Sequence, residues 1–321
     1  MKFFLSFSIF ILLSACGGGG GGGSSSALNW TTTHNTNGPS SYYRNSRFLN
    51  QSGSRGMCNP SSQACGIGVQ INANASSDAF TFSTDQGYYE SDFSPGHLFY
   101  TSDIESTSSV SSSRTPSLGT TNYTYSNYNS STGYTKKVTI GIPTEYTNQY
   151  WVYWDNWHGS TSEYDTFSFG VIGLNQTSYA SLPSSGSATY SGGAEIVYGQ
   201  AATLGLADSY YIGGGNASFT ANWSSKTIYG SISNVTLANS ISSIGLGTLT
   251  MASTDIVSSS YNSYSSGQAL AYFAGNLTGG GTLSDNNIHG YFFGSNYDEI
   301  GGTFNLDHGT YEGAGYFAAK K

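Results

Sequence analysis

The sequence predicts an all-β protein. Three observations point there: scarce charge, abundant glycine and tyrosine, and a hydrophobic alternation with a period of two. Only 9% of the 321 residues are charged, against about 25% in a typical soluble domain. So small a supply of Lys, Glu and Arg leaves little from which to build helices with a solvent-facing side. The chain holds 43 Gly, 26 Tyr and 17 Phe but only 6 Pro. Aromatics at 15% set it apart from disordered polymer, which is normally short of them. Gly, Ser, Thr, Asn and Tyr together suit short twisted strands joined by polar turns. Ten basic residues against 18 acidic ones give a net charge of −8. That balance removes the electrostatic footprint of a nucleic-acid binder, so no nucleic-acid partner is expected.

The first fifteen residues read as a lipoprotein signal peptide. Lys2 supplies a short positive region and Phe3 to Leu13 an uncharged apolar one, too short for a permanent span of the membrane. It ends at Leu13-Ser14-Ala15-Cys16, which resembles the bacterial lipobox, in which the cysteine is acylated and becomes the new first residue. Lipidation is therefore expected at Cys16, with the membrane as partner through the acyl chains. Gly17 follows instead of an acidic residue, which favours the outer membrane. Gly17 to Gly23 and Ser24 to Ser26 complete residues 16–26 as a flexible tether, spanning roughly 16–19 Å for its ten Gly and Ser residues. With Cys16 acylated, Cys58 and Cys65 form an even pair in an exported chain, which reads as a disulfide around an Asn-Pro turn.

Residues 27–66 are polar and loop-like. Short alternating runs then appear at Val69–Asn72, Phe80–Ser83 and Leu98–Tyr100. Residues 101–134 hold few aliphatics and read either as a long surface loop or as polar hairpins with tyrosine faces. Val138–Ile142, Tyr150–Trp154 and Tyr164–Leu174 read as strands of one sheet. Leu182-Pro183-Ser184-Ser185-Gly186 marks a turn-type linker. Beyond it Ala217, Phe219, Ala221 and Trp223 share one face, and Ile228, Gly230 and Ile232 return on the same side. The last three strands are expected at 288–293, 300–306 and 311–317, with Gly290, Gly302, Gly313 and Gly315 on the buried face. Glycines there suit the crowded interior of a small closed barrel. About eight strands follow residue 186, enough to close the sheet and abolish its edges.

Three stretches carry a resemblance. They are Leu182–Gly193, the hairpin Ala217–Ser233, and Ile288–Phe304 with the ending Gly315–Lys321. Ile288–Phe304, which contains Phe292-Phe293-Gly294-Ser295-Asn296-Tyr297-Asp298-Glu299-Ile300-Gly301-Gly302-Thr303-Phe304, is similar to the "FYGPxAxExGGTF" signature of the transferrin-binding protein B family of surface lipoproteins. Gly315-Tyr316-Phe317-Ala318-Ala319-Lys320-Lys321 is similar to its "GxFGAKR" ending. Ser295 stands where the family often has Pro, and Ala318 where it often has Gly. The resemblance covers about residues 178–321. It implies an N-terminal β-rich handle region over 27–180, followed by an antiparallel barrel over 181–321. It further implies capture, at the outer-membrane surface, of an iron source: an iron-carrier protein, haem or a haem protein. Such cargo would pass to a TonB-dependent receptor. Glu299 reads, by the same resemblance, as a turn carboxylate that satisfies amides or basic groups at the barrel end.

Patterns for catalysis are missing from the sequence. Gly213–Gly215 and Gly279–Gly281 lack the Lys-Ser/Thr and helix of a phosphate loop. The five histidines, at 34, 97, 158, 289 and 308, show no zinc spacing. Asp298 and Glu299 are adjacent, so on a strand they point to opposite faces and cannot work as an acid–base pair. Neither an enzyme nor a metal centre is expected. The most pointed feature is Tyr150-Trp151-Val152-Tyr153-Trp154-Asp155-Asn156-Trp157-His158, with Trp157 and His158 expected at a turn. Two readings fit it: aromatic core packing, or a ligand surface of Tyr153, Trp154, Trp157 and His158. Aromatic planes beside an imidazole suit haem, with His158 as axial ligand, and they also suit a protein hot spot. His97, after Pro95-Gly96, is a second candidate ligand. The alternative function is a surface interaction or adhesion lipoprotein that binds a host protein and has no nutrient role.

Overall fold

A computed structural model describes residues 43–44, 46–48, 68–74, 79–84, 97–110, 120–129, 134–143, 145–158, 163–173, 176–200, 210–239, 241–259, 270–280, 286–307 and 311–321. Cys16, the tether, Cys58 and Cys65 lie outside the described residues. The N-terminal half forms two sheets. Strands β1 (Tyr43–Arg44), β3 (Gly68–Asn74), β4 (Ala79–Thr84) and β5 (His97–Tyr100) make a four-stranded sheet in that order. Strands β2 (Ser46–Phe48), β10 (Glu163–Gly173), β9 (Gln149–His158), β8 (Tyr134–Pro143), β7 (Thr120–Asn129) and β6 (Ile104–Val110) make a six-stranded one. The polar stretch 101–134 thus contains the β6–β7 hairpin, the second of its two expected forms. Hydroxyl side chains pair across β7 and β8, as Thr124 and Thr139 do at 3.0 Å. Such pairs stabilise a sheet without aliphatic bulk.

The six-stranded sheet is buried on both faces in its middle. On one face Tyr125, Val138, Ile140 and Val152 pack with Phe80, Phe82 and Phe99 of the four-stranded sheet. Phe80 meets Tyr125 edge-on at 4.9 Å. On the other face Trp151 lies flat against Tyr316 of the C-terminal half, with ring centroids 5.2 Å apart. Gly141 sits opposite Trp151 in register, and any side chain there would occupy the volume of the indole.

The C-terminal half is a closed antiparallel barrel of eight strands: β11 (Ser187–Gln200), β12 (Tyr210–Asn222), β13 (Thr227–Ala238), β14 (Ser243–Ser259), β15 (Leu270–Gly279), β16 (Asn287–Phe293), β17 (Glu299–Asp307) and β18 (Tyr311–Lys320). Pairing of β18 with β11 closes it. Its interior is packed by its own side chains, among them Tyr190, Phe219, Phe273, Phe292, Phe304 and Phe317. That is what an eight-stranded barrel has room for. The interior glycines are steric necessities: a Cβ at Gly290 would enter the Phe273 ring, and one at Gly302 would overlap the His289 carbonyl. The connector between the halves forms a 3₁₀ turn at Tyr179–Ser181, and Leu182 drops into the barrel core. Thr177 joins the barrel rim: its N–H donates to the Phe292 carbonyl at 2.9 Å, and its own carbonyl accepts from Ala271 N–H at 2.9 Å.

The two outer walls of the barrel differ. Along β15 to β18 the wall is buried beneath the N-terminal sheets, and its polar residues His289, Thr303 and Asn305 are buried with it. Along β11 to β15 a row of hydroxyls runs in register, Ser191–Ser218–Ser231–Thr250–Thr278. In that row Ser191, Ser218, Thr250 and Thr278 are exposed.

Candidate functional site

One carboxylate fixes the N-terminal sheets on the barrel. Glu299 opens β17 and is 4% exposed, yet no cation among the described residues pairs with it. Its oxygens accept from Thr147 N–H at 2.8 Å and Asn148 N–H at 3.2 and 3.3 Å. The Thr147 hydroxyl, the Asn148 amide and the Gln149 amide add donors at 3.2, 3.2 and 3.3 Å. The turn before β9 is thus wrapped around a barrel carboxylate. Glu299 satisfies amides as expected, but those amides belong to the N-terminal half. Tyr146 adds a second tie by donating its hydroxyl to the Ala318 carbonyl at 2.9 Å.

From that clamp β9 runs away to its other end. Gln149 and His158 are nine residues apart in one strand, about 30 Å at the usual rise. Trp157 and His158 do not form a turn. The strand continues through them, because β8 and β10 are long enough to pair with both: Trp157 with Thr135 and Tyr164, His158 with Tyr134 and Glu163. Tyr153 and Trp154 sit mid-strand, opposite Thr139 and Phe169, and Val138 and Ser168. The side chains of Tyr153, Trp154, Trp157 and His158 lie outside the described residues. Trp151 of the same motif is core.

His97 falls near this far end. It opens β5, with its imidazole edge-on to Phe99 at 4.8 Å, and it hydrogen-bonds the Asn127 side chain. Asn127 pairs in register with Lys136, which pairs with Asn156 beside Trp157. Asp103 ties the corner together, accepting from Tyr100 N–H at 2.8 Å and from the Asn127 amide at 3.5 Å. Around it stand Leu98, Tyr100 and Tyr128, which are 37%, 45% and 63% exposed. The structure therefore brings the two candidate histidines, 61 positions apart in sequence, to one end of the N-terminal half through strand register. Sequence reasoning passed over Asp103 and Asn127 as site residues. The available signal was the spacing of Tyr123, Tyr125 and Tyr128 in a polar segment, which a strand assignment would have placed on a sheet.

Burial, and then the Lys136 ammonium, hold the His97 pKa below its ordinary 6.5, while Asn127 and Asp103 pull the other way. A histidine whose folded pKa is depressed binds fewer protons folded than unfolded. Its contribution is complete above the unfolded value of 6.5 and is lost as pH falls below it. The melting temperature is expected to decline on acidification below that value, and His97→Asn to flatten the decline. Thermal scans from pH 7.5 to 5 check this; an unchanged slope in the variant would refute it.

Among the described residues, no group of three or more His, Cys, Asp or Glu is placed to hold a metal ion. What the far end offers is exposed aromatic surface with an amide, a carboxylate and an imidazole around it. Such surfaces make adaptable contacts to a large partner. The fold and this placement define the class: an all-β molecule in which a two-sheet handle is clamped to a self-filled barrel. Residues 182–321 match the family model described as the C-lobe and N-lobe β-barrels of transferrin-binding protein B.

Comparison with curated proteins returns no match. Among solved structures the chain is similar to a transferrin binding protein B double mutant from Haemophilus parasuis Hp5. The identity is 12% and the TM-score 0.39, over 86% of this chain and 59% of that one. It is similar to the isotype 1 transferrin binding protein B of serogroup B Neisseria meningitidis at 14% identity and a TM-score of 0.41, over 87% and 43% of the two chains. It is similar to the N-lobe domain of lactoferrin binding protein B of Moraxella bovis at 12% identity and a TM-score of 0.34, over 88% and 99%. The chain spans about three fifths of the length of the first of these.

Proposed function

We propose that this protein is an outer-membrane-anchored surface lipoprotein that captures an iron source, an iron-carrier protein or haem, for uptake. The observation that carries the reading is the match of residues 182–321 to the barrels of transferrin-binding protein B. The packed barrel interior supports it, because a filled barrel binds with its surfaces and not its lumen. The far end of the handle, with Leu98, Tyr100 and Tyr128 exposed, supplies the contact surface. Tyr153, Trp154, Trp157 and His158 lie on the strand that leads to it. Acylation at Cys16, the tether over 16–26, a Cys58–Cys65 disulfide and a handle over 27–180 belong to the same reading. So does a TonB-dependent receptor as the next carrier.

The test has two arms. The purified protein is used to pull down serum proteins under iron restriction, alone and as Tyr100→Ala/Tyr128→Ala. Retention of an iron-carrier or haem protein, lost in the double variant, is the expected result. Haemin titration is the second arm, in which a Soret shift abolished by His158→Ala or His97→Ala would identify haem itself. Retention of a host protein that carries neither iron nor haem, with no Soret shift, would overturn iron capture in favour of adhesion.

A further inference from the structure

A polar cleft lies where the N-terminal half meets the barrel, at the Gln149 end of β9. Its volume is about 510 Å³, within the range of small-molecule sites. Three parts of the fold meet there: the handle turn carrying Asn148, the connector with Gln176, Ser178 and Ser181, and the β16–β17 turn with Ser295 and Asp298. Meeting points between domains are common places for ligands.

The walls are held in place by the backbone. Gln176 and Ser178 make β-bridges to Phe293 and Leu270 of the barrel. Asn148 is positioned by Glu299, which receives both its backbone N–H and its side-chain amide. The β16–β17 turn is closed by Tyr297 N–H donating to the Gly294 carbonyl at 3.1 Å, and by the Thr177 hydroxyl donating to that same carbonyl at 2.8 Å.

The lining chemistry excludes most ligand classes. It carries amides, hydroxyls and one carboxylate, with no aliphatic or aromatic side chain, so haem, lipid and other apolar ligands gain nothing by entering. Phosphates and carboxylates would meet Asp298. The nearest ammonium, Lys321, is turned to Asp298 at 3.7 Å and lies over the Tyr297 ring at 3.7 Å. A divalent cation would find one carboxylate where it needs several oxygen ligands. A neutral polyol fits, because its hydroxyls donate to the Asp298 carboxylate and to the hydroxyl oxygens of Ser181 and Ser295, and accept from the Ser295 hydroxyl. A shallower cleft of about 360 Å³ flanks the other side of the same turn, lined in part by Ser185, Thr189, Trp223 and Tyr297. The two together suit consecutive sugar units.

We propose that this handle–barrel cleft binds a neutral saccharide unit of a glycan, with Asp298 as the acceptor for its hydroxyls. A host glycoprotein and a bacterial surface polysaccharide both present that chemistry. The experiment is titration of the full chain, by saturation-transfer NMR and calorimetry, with a neutral high-mannose oligosaccharide, a neutral α-glucan oligosaccharide, a sialylated oligosaccharide and spermidine. Binding of either neutral sugar supports the proposal, and the tighter of the two names the source. Asp298→Asn is expected to weaken it about tenfold, and Ser295→Tyr, which fills the cleft from an exposed turn position, to abolish it. Both variants should melt within a few degrees of the parent, since neither touches the Glu299 clamp. Tyr128→Ala should leave sugar binding unchanged, which separates this proposal from iron capture at the far end. Preference for the sialylated sugar or for spermidine would overturn it, and so would neutral-sugar binding that ignores both cleft variants. Absence of binding to all four probes would overturn it as well.

Discussion

Glu299→Ala is expected to release the handle from the barrel and to lower unfolding stability by about 3 kcal/mol. The carboxylate is 4% exposed, and among the described residues its charge is met by neutral dipoles. Five donor groups, on Thr147, Asn148 and Gln149, point at it. Removing it takes this acceptor from the buried Gln149 amide, which bears the desolvation cost, and opens the anchored turn at Thr147 and Asn148 to water. Glu299→Gln should recover little, because its new amide hydrogens would face donors. Glu145 gives the control: its pair with Lys320, at 3.3 Å, is 44% exposed on both sides, so Glu145→Ala should cost less than about 1 kcal/mol. Urea midpoints measure the difference, and limited proteolysis should show cleavage between handle and barrel only in the Glu299 variants. A loss below about 0.5 kcal/mol for Glu299→Ala would show that the seam is held by apolar packing.

Trp151→Ala should cost about 3–5 kcal/mol, the usual range for emptying a buried indole site. Trp151 is 2% exposed and stacks on Tyr316, with 19° between the ring planes. Its neighbour in register is Gly141, whose lack of a side chain makes the space for the indole. That pairing makes the prediction conditional. Gly141→Ala should destabilise the parent by forcing the ring aside, and should be nearly harmless once Trp151 is alanine. A double-mutant cycle in urea measures the coupling. Simple additivity of the two losses would mean the indole can move without cost, contrary to the packing described.

Much of the barrel was legible because its strands obey one rule. Ala217, Phe219, Ala221 and Trp223 point inward and alternate with polar residues, so each strand announces itself by period two. The interior glycines could be read for the same reason, since at Gly290 and Gly302 no other residue fits. The handle was harder. Its six-stranded sheet is buried on both faces near Trp151 and Val152, so alternation between wet and dry faces disappears there. In 101–134 core positions are filled by Tyr and Thr, which fit a loop and a polar hairpin equally well. The candidate site was only half visible. His158 and its aromatic neighbours stand out as a local cluster, whereas the join to His97, Asn127 and Asp103 runs through strand pairings between distant segments. The role of Glu299 was visible as a turn carboxylate, but its partners lie about 150 positions earlier in the chain.

The hydroxyl row on the free wall of the barrel carries one more consequence. A barrel that crosses a bilayer turns its apolar side chains outward and keeps its polar ones within. Here the arrangement is inside out: Phe219, Phe273 and Phe317 fill the centre, while Ser191, Ser218, Thr250 and Thr278 face solvent. No hydrocarbon would wet that wall, so closure into a cylinder does not make this barrel a pore. It is a water-borne body. Any hold it has on a membrane must come from elsewhere in the chain, which is the part the proposed acylation of Cys16 would play.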